Sequence, residues 1–139
     1  MNNRIELTFS SIAQNEAFAR MVISAFMIRE NPTLSVISEV RTAVSEAVTN
    51  AVVHAYAKEG GQIVLRAEIA LGQIWIEVED FGHGIEDVEQ AMTPFFTTKP
   101  EEERTGMGFA MMQSFMDEVS VRSVLGEGTL VSMKKKLRE

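Results

Sequence analysis

Glu46, Asn50 and His54 follow one another at four-residue intervals in a segment of helical pattern. Asp80-Phe81-Gly82-His83-Gly84 and then Gly106-Met107-Gly108 come after them. Four residues advance an α-helix by about 400°, so successive members of the trio are offset by only ~40° and share one face. The carbonyl oxygen of Asn50 suits a hard ion such as Mg²⁺, which keeps several waters and bridges phosphates. Glu46, one turn earlier, suits a general base acting on a hydroxyl or water that approaches a γ-phosphate. His54 reads as a hydrogen-bonding residue at the edge of the same pocket.

Asp80 ends an apolar strand, and Gly82 and Gly84 follow at alternate positions. A buried carboxylate there accepts a hydrogen bond from the exocyclic amine of adenine, while the glycines let the backbone come close to base and sugar. Gly106-Met107-Gly108 opens a helix, whose free N–H groups and positive dipole end suit phosphates. Lys99 and Arg104 flank that start, and Thr97-Thr98 add hydroxyls. Each piece alone has an ordinary explanation: a solvated helix face, a strand-to-loop turn, a glycine at a helix start. Together and in this order they describe ATP chemistry without a Walker-type phosphate loop.

The elements that must position these groups follow from periodicity. Residues 4–10 alternate as a strand. Ser11 with Gln14 resembles a capping box before an apolar series of Phe18, Met21, Val22, Ala25 and Phe26. Pro32 separates that helix from a second, running from about Leu34 to Tyr56, with Val36, Val40, Ala43, Val44, Ala47, Val48, Ala51 and Val52 as its buried stripe and Gly60-Gly61 as its stop. Ile63–Ala70 and Ile74–Glu79 form a hairpin around Leu71-Gly72-Gln73. Asp80 to Arg104 reads as a loop with a short helix near Val88. Met107–Asp117 is a further helix, its methionines core filling. Val119–Val124 and Thr129–Leu137 close the chain as a hairpin around Gly126-Glu127-Gly128, with Lys134-Lys135-Lys136 on a solvated edge strand. The expected fold class is α/β: one domain over residues 1–139, a two-layer sandwich with helices on one face of a mixed, largely antiparallel sheet.

Composition narrows the partners. The 45% hydrophobic content suits a folded domain, and a net charge of −7 argues against a protein that tracks nucleic-acid backbones. The absence of cysteine excludes disulfides, thiolate metal sites and a cysteine nucleophile. The alternating N-terminus is not a signal peptide and no apolar run approaches a membrane span, so the expected location is cytoplasmic, with no membrane partner.

Glu46-x-x-x-Asn50, Asp80-x-Gly82-x-Gly84 and Gly106-x-Gly108 resemble the N box and the two G boxes of the GHKL ATP-binding fold. The run from Ser45 to Tyr56, the segments Phe96 to Pro100 and Arg104 to Phe109, and Phe115 to Val119 are similar to the bacterial anti-sigma factor serine kinases, and within them to the sporulation anti-sigma-F group. The resemblance implies a protein that withholds a sigma factor of the sigma-F type from RNA polymerase and uses MgATP to phosphorylate a serine of an anti-anti-sigma protein; a stress-response sigma is the alternative. It implies that Asn50 holds Mg²⁺, Glu46 is the base and Asp80 contacts adenine. Thr97, Thr98, Lys99, Arg104, Thr105, Gly106, Met107 and Gly108 would close over the phosphates, with Arg104 on the γ-phosphate. His54, Gly82, Gly84 and Thr129 complete the expected ATP/ADP contacts. A homodimer is implied too, with Glu16 and Arg20 of the first helix as a sigma-docking surface.

Overall fold

The computed structural model describes the backbone of residues 2–55, 60–85, 88 and 108–138, and the side chains of all of these except His54 and Ala55. The chain runs β1 (Asn3–Ser10), α1 (Gln14–Met27), a 3₁₀ turn (Ile28–Glu30), α2 (Leu34–Asn50), a π-helical turn (Ala51–Ala55), β2 (Gln62–Ala70), β3 (Gln73–Asp80), α3 (Gly108–Phe115), β4 (Glu118–Val124) and β5 (Gly128–Lys136). The strands form a five-stranded sheet in the order β1-β2-β3-β5-β4. All the pairings are antiparallel, so the parallel element of the expected mixed sheet does not occur among the described residues. The two hairpins, β2–β3 and β4–β5, were readable from alternation. That β5 inserts beside β3 was not, and it makes Lys134–Lys136 part of an interior strand rather than an edge.

Alternation decides the two faces of the sheet. Ile63, Leu65 and Ala67 on β2, Ile74, Ile76 and Val78 on β3, and Val131 and Met133 on β5 are buried. They pack with Val40, Ala43, Val44, Ala47 and Val48 of α2, Ile23 and Met27 of α1, and Met112 of α3 in one core. Fully burying a Val, Leu or Ile side chain is worth about 1.5–3 kcal/mol, so this layer holds the helices in place. The opposite face is polar: Arg66 reaches Glu6 at 3.0 Å, Glu79 at 2.9 Å and Glu77 at 3.6 Å.

The second helix has the stripe expected of it, with Val36 and Val52 only partly buried beside the core. Thr33 caps it, Oγ1 accepting from the Val36 N–H at 3.1 Å. The first helix departs from expectation twice. Its buried residues are Ala19, Ile23 and Met27, while Phe18 and Met21 are exposed at 50% and 65%. Apolar residues lie on both sides of α1, so the period alone admitted two stripes, and the sheet selects the one with the smaller residue at its start. The capping box is also absent. The N-cap is Ala13 without a side-chain bond, and the Ser11 hydroxyl is buried with no hydrogen-bond partner among the described residues. The Ser11 N–H instead donates to the Gly61 carbonyl at 2.8 Å, tying the end of β1 to the approach to β2.

Candidate functional site

Glu46 and Asn50 occupy the last two turns of α2, half-buried, on the side that meets α3. Gly108, the first residue of α3, sits against both. A Cβ built on Gly108 would lie 3.2 Å from Glu46 Oε2, 3.2 Å from Asn50 Nδ2 and 3.3 Å from Asn50 Oδ1. One carboxylate oxygen and one carboxamide therefore converge within 3.3 Å of a single point at a helix N-terminus. Any side chain there would push them apart. Because Gly108 is helical, Gly108→Ala gains roughly 1 kcal/mol of helix propensity. We expect it to leave thermal stability level or slightly higher while weakening nucleotide binding about tenfold; calorimetry and nucleotide titration on the same preparation check both.

Immediately after Asn50 the helix widens into the π-helical turn Ala51–Ala55, the kind of bulge that gathers at functional sites. It carries the backbone of His54, so the regular α-helical phase linking Glu46 and Asn50 does not extend to His54. Glu16 and Arg20 of α1 pair at 3.4 Å, and the Ser45 hydroxyl, one residue before Glu46, donates to Glu16 Oε1.

Asp80 closes β3, buried, and is the register partner of Thr129 at the start of β5. Asp80 Oδ1 accepts from the Gly82 N–H at 3.0 Å and from the Thr129 N–H at 3.3 Å. Both of these bonds fall on one oxygen, Oδ1. Burial pushes the Asp80 carboxyl above the ordinary aspartate range; the N–H groups of Gly82 and Thr129 and the nearby His83 pull it partly back.

Two glycines let the backbones close in around Asp80. Gly84 has φ +82 and its Cβ would meet the Val124 carbonyl at 2.6 Å, and Gly128 has φ +129 and its Cβ would meet the Asp80 carbonyl at 2.1 Å. The His83 carbonyl accepts from the Gly126 N–H at 2.9 Å, so the loop after β3 is fastened to the β4–β5 turn. Gly128→Ala meets backbone on one side and a left-handed φ on the other, and we expect it to cost about 3 kcal/mol, read as a lower midpoint in denaturant.

The chemistry of these donors fits Mg²⁺. The ion needs few protein ligands besides phosphates and waters, and Asn50 and Glu46 supply hard oxygen. No cluster of three or more His, Cys, Asp or Glu able to hold a metal exists among the described residues. An open cavity of about 530 Å³ lies at the far end of α3, lined by Gln113, Met116, Asp117 and Lys134 among others.

Comparisons with known proteins point the same way. A family model described as histidine kinase-like ATPase domain matches residues 9–135. The chain is 57% identical over 134 residues to the anti-sigma F factor of Caldanaerobacter subterraneus subsp. tengcongensis, covering 96% of this chain and 94% of that protein. To the anti-sigma F factor of Pasteuria penetrans it is 51% identical over 138 residues, covering 98% and 92%. The chain belongs to the anti-sigma F factor family of histidine kinase-like ATPase domains. Among solved structures, the RsbU and RsbW domains of a Mycobacterium tuberculosis protein share its fold, with TM-score 0.70 at 22% identity, over 99% of this chain and 33% of that one. The histidine kinase domain of a blue-light activated kinase from Erythrobacter litoralis does so at TM-score 0.59 and 22% identity, over 88% and 60%.

For this anti-sigma F family chain the ATPase domain makes ATP or ADP the nucleotide. Of the residues singled out in the sequence, Glu46, Asn50 and Gly108 come together on one side, and Asp80, Gly82, Gly84 and Thr129 on another. Thr97, Thr98, Lys99, Arg104, Thr105, Gly106 and Met107 lie outside the described residues, as does all of the short helix near Val88 except Val88 itself. Sequence reasoning missed Gly128. The signal for Gly128 was present, a glycine directly before Thr129, but it had been absorbed into the hairpin turn.

Proposed function

We propose that this chain is an anti-sigma factor with protein serine kinase activity. It binds a sigma factor of the sporulation F type and uses MgATP to phosphorylate a serine of an anti-anti-sigma protein. The observation that carries the kinase reading is the convergence of Glu46 and Asn50 on Gly108. It places a potential base beside the amide that would hold Mg²⁺, at a helix start suited to phosphates. Asn50 would hold Mg²⁺, which would supply neutralisation of the phosphates' charge. Glu46 takes the proton from the serine hydroxyl as its oxygen bonds to the γ-phosphorus and the bond from that phosphorus to the β,γ-bridging oxygen breaks, ADP leaving. Asp80 accepts from the adenine amine and fixes the nucleotide's other end. Arg104, in the segment expected to cover the phosphates, stabilises the charge on the transferring group.

The exposed apolar residues Phe18 and Met21 of α1, with Ile28 of the 3₁₀ turn that follows, support a protein-docking role for that helix. Glu16 and Arg20 would supply its polar contacts, in a cytoplasmic homodimer. The Glu16–Ser45 bond joins that surface to the residue preceding Glu46. Names of relatives at 57% and 51% identity favour the sigma-F partner over a stress-response sigma.

Incubation with γ-labelled ATP and the anti-anti-sigma protein, followed by phosphoamino-acid analysis, tests the reading. Phosphoserine supports it, and nucleotide hydrolysis with no transfer to protein would overturn the kinase assignment. Asn50→Ala should remove the Mg²⁺-dependent part of ATP affinity while leaving binding in a metal chelator unchanged, which titration with and without Mg²⁺ decides.

A further inference from the structure

Ser123 on β4 is the meeting point of the hydrogen bonds behind Asp80 and Thr129. Its Oγ lies 2.7 Å from the Ile85 N–H, 3.1 Å from the Gly128 carbonyl and 2.9 Å from Thr129 Oγ1. A serine hydroxyl has one proton and two lone pairs. The Gly128 carbonyl can only accept, so the serine proton goes there. The Ile85 N–H can only donate, which takes one lone pair. The other lone pair is left for the Thr129 hydroxyl, which must therefore donate to Ser123. This assignment satisfies every group at the node, and it turns the Thr129 proton away from its register partner Asp80.

We propose that Ser123 is a positioning residue for base selection. By drawing off the Thr129 proton it leaves two acceptors, Asp80 Oδ2 and Thr129 Oγ1, on the side where a purine enters. Adenine carries an amine donor at its six position, whereas guanine and hypoxanthine carry a carbonyl acceptor there. Two acceptors welcome the first, directly or through a water, and repel the second. Without Ser123, the Thr129 hydroxyl is free to rotate and offer its proton inward, so an acceptor at the six position finds a donor. The Ile85 contact serves the same end: it fixes the exit of the Asp80–Gly84 loop against the strand that carries Ser123.

The inference rests on the reading of Asp80 and Thr129 as the base contact, and the experiment separates the two. Dissociation constants for ATP, GTP and ITP are measured by competition for the parent, Ser123→Ala, Ser123→Thr and Asp80→Asn, with thermal unfolding recorded for each. In Ser123→Ala the ratio of GTP to ATP dissociation constants should fall about tenfold, the scale of one well-placed hydrogen bond. Ser123→Thr, which keeps the hydroxyl, should restore the parental ratio. Ser123→Cys keeps the volume but offers only a weak acceptor; it gives the same readout if the alanine variant does not fold. Equal weakening of all three nucleotides at an unchanged ratio would mean a structural role and overturns the proposal. If the ratio moves in Asp80→Asn but not in Ser123→Ala, Ser123 alone is dismissed. If Asp80→Asn leaves the ratio at the parental value, the base contact itself is misplaced and the proposal goes with it.

Discussion

Glu46→Gln is expected to leave ATP affinity within about threefold of the parent and to lower phosphoryl transfer by about 10²–10⁴, the range for loss of a general base. The carboxamide has the shape of the carboxylate, so the side chain still fits in the space that the missing Cβ of Gly108 leaves beside Glu46 Oε2. What it lacks is basicity. Because binding survives, the loss falls on the turnover number and not on the nucleotide dissociation constant, the pattern of an interaction made only in the transition state. Single-turnover transfer from γ-labelled ATP measures the chemical step directly. A variant that transfers phosphate at the parental rate would leave Glu46 with a packing role.

Asp80→Asn should separate stability from function. Asparagine can still accept from Gly82 and Thr129 through its oxygen, but it then turns an NH₂ donor toward the adenine amine. Donor against donor leaves both unpaired in a buried place, and ATP affinity should fall by about 10²-fold or more. The apo protein should respond in the other direction. The Asp80 carboxyl is raised chiefly by burial, so its ionised form is disfavoured in the fold. A raised carboxyl contributes stability that is complete below its unfolded pKa and lost as pH rises through its folded pKa. Above the raised Asp80 titration that contribution is gone and the buried charge is a net cost, which the neutral asparagine removes. Asp80→Asn should therefore unfold at or above the parental temperature at pH 7, and the gap should close as pH falls through the raised Asp80 titration. Thermal scans across that range, with ATP titrations at pH 7, check both halves. A variant that is less stable than the parent at pH 7 would contradict the burial argument.

Much of this was legible in the residues. Period-two alternation located every strand to within about a residue or two, and four-residue spacing brought Glu46 and Asn50 onto one face. The failures have local causes. Ser11 has the identity of a cap, but its backbone is committed to Gly61, and α1 begins beyond it. Phe18 and Met21 looked like core because sequence cannot say which of two apolar faces the sheet will choose. The π-helical turn leaves no composition signal, since its extra residue sits in a run of alanine and valine. Ser123 was invisible for a different reason: its importance lies in three partners on other segments, and nothing in its own neighbourhood announces them.

The seam between β3 and β5 has a consequence for how the chain assembles. Each hairpin, β2–β3 and β4–β5, closes through neighbours in sequence, whereas Asp80 and Thr129 are 49 residues apart and meet only when the two hairpins dock. The proposed base contact is thus written across a non-local junction and belongs to neither half. A nucleotide held there would bind the docked state alone, so it would slow unfolding while leaving the rate of folding nearly untouched. In this fold the ligand would act as a latch on a finished sheet rather than as a template for building it.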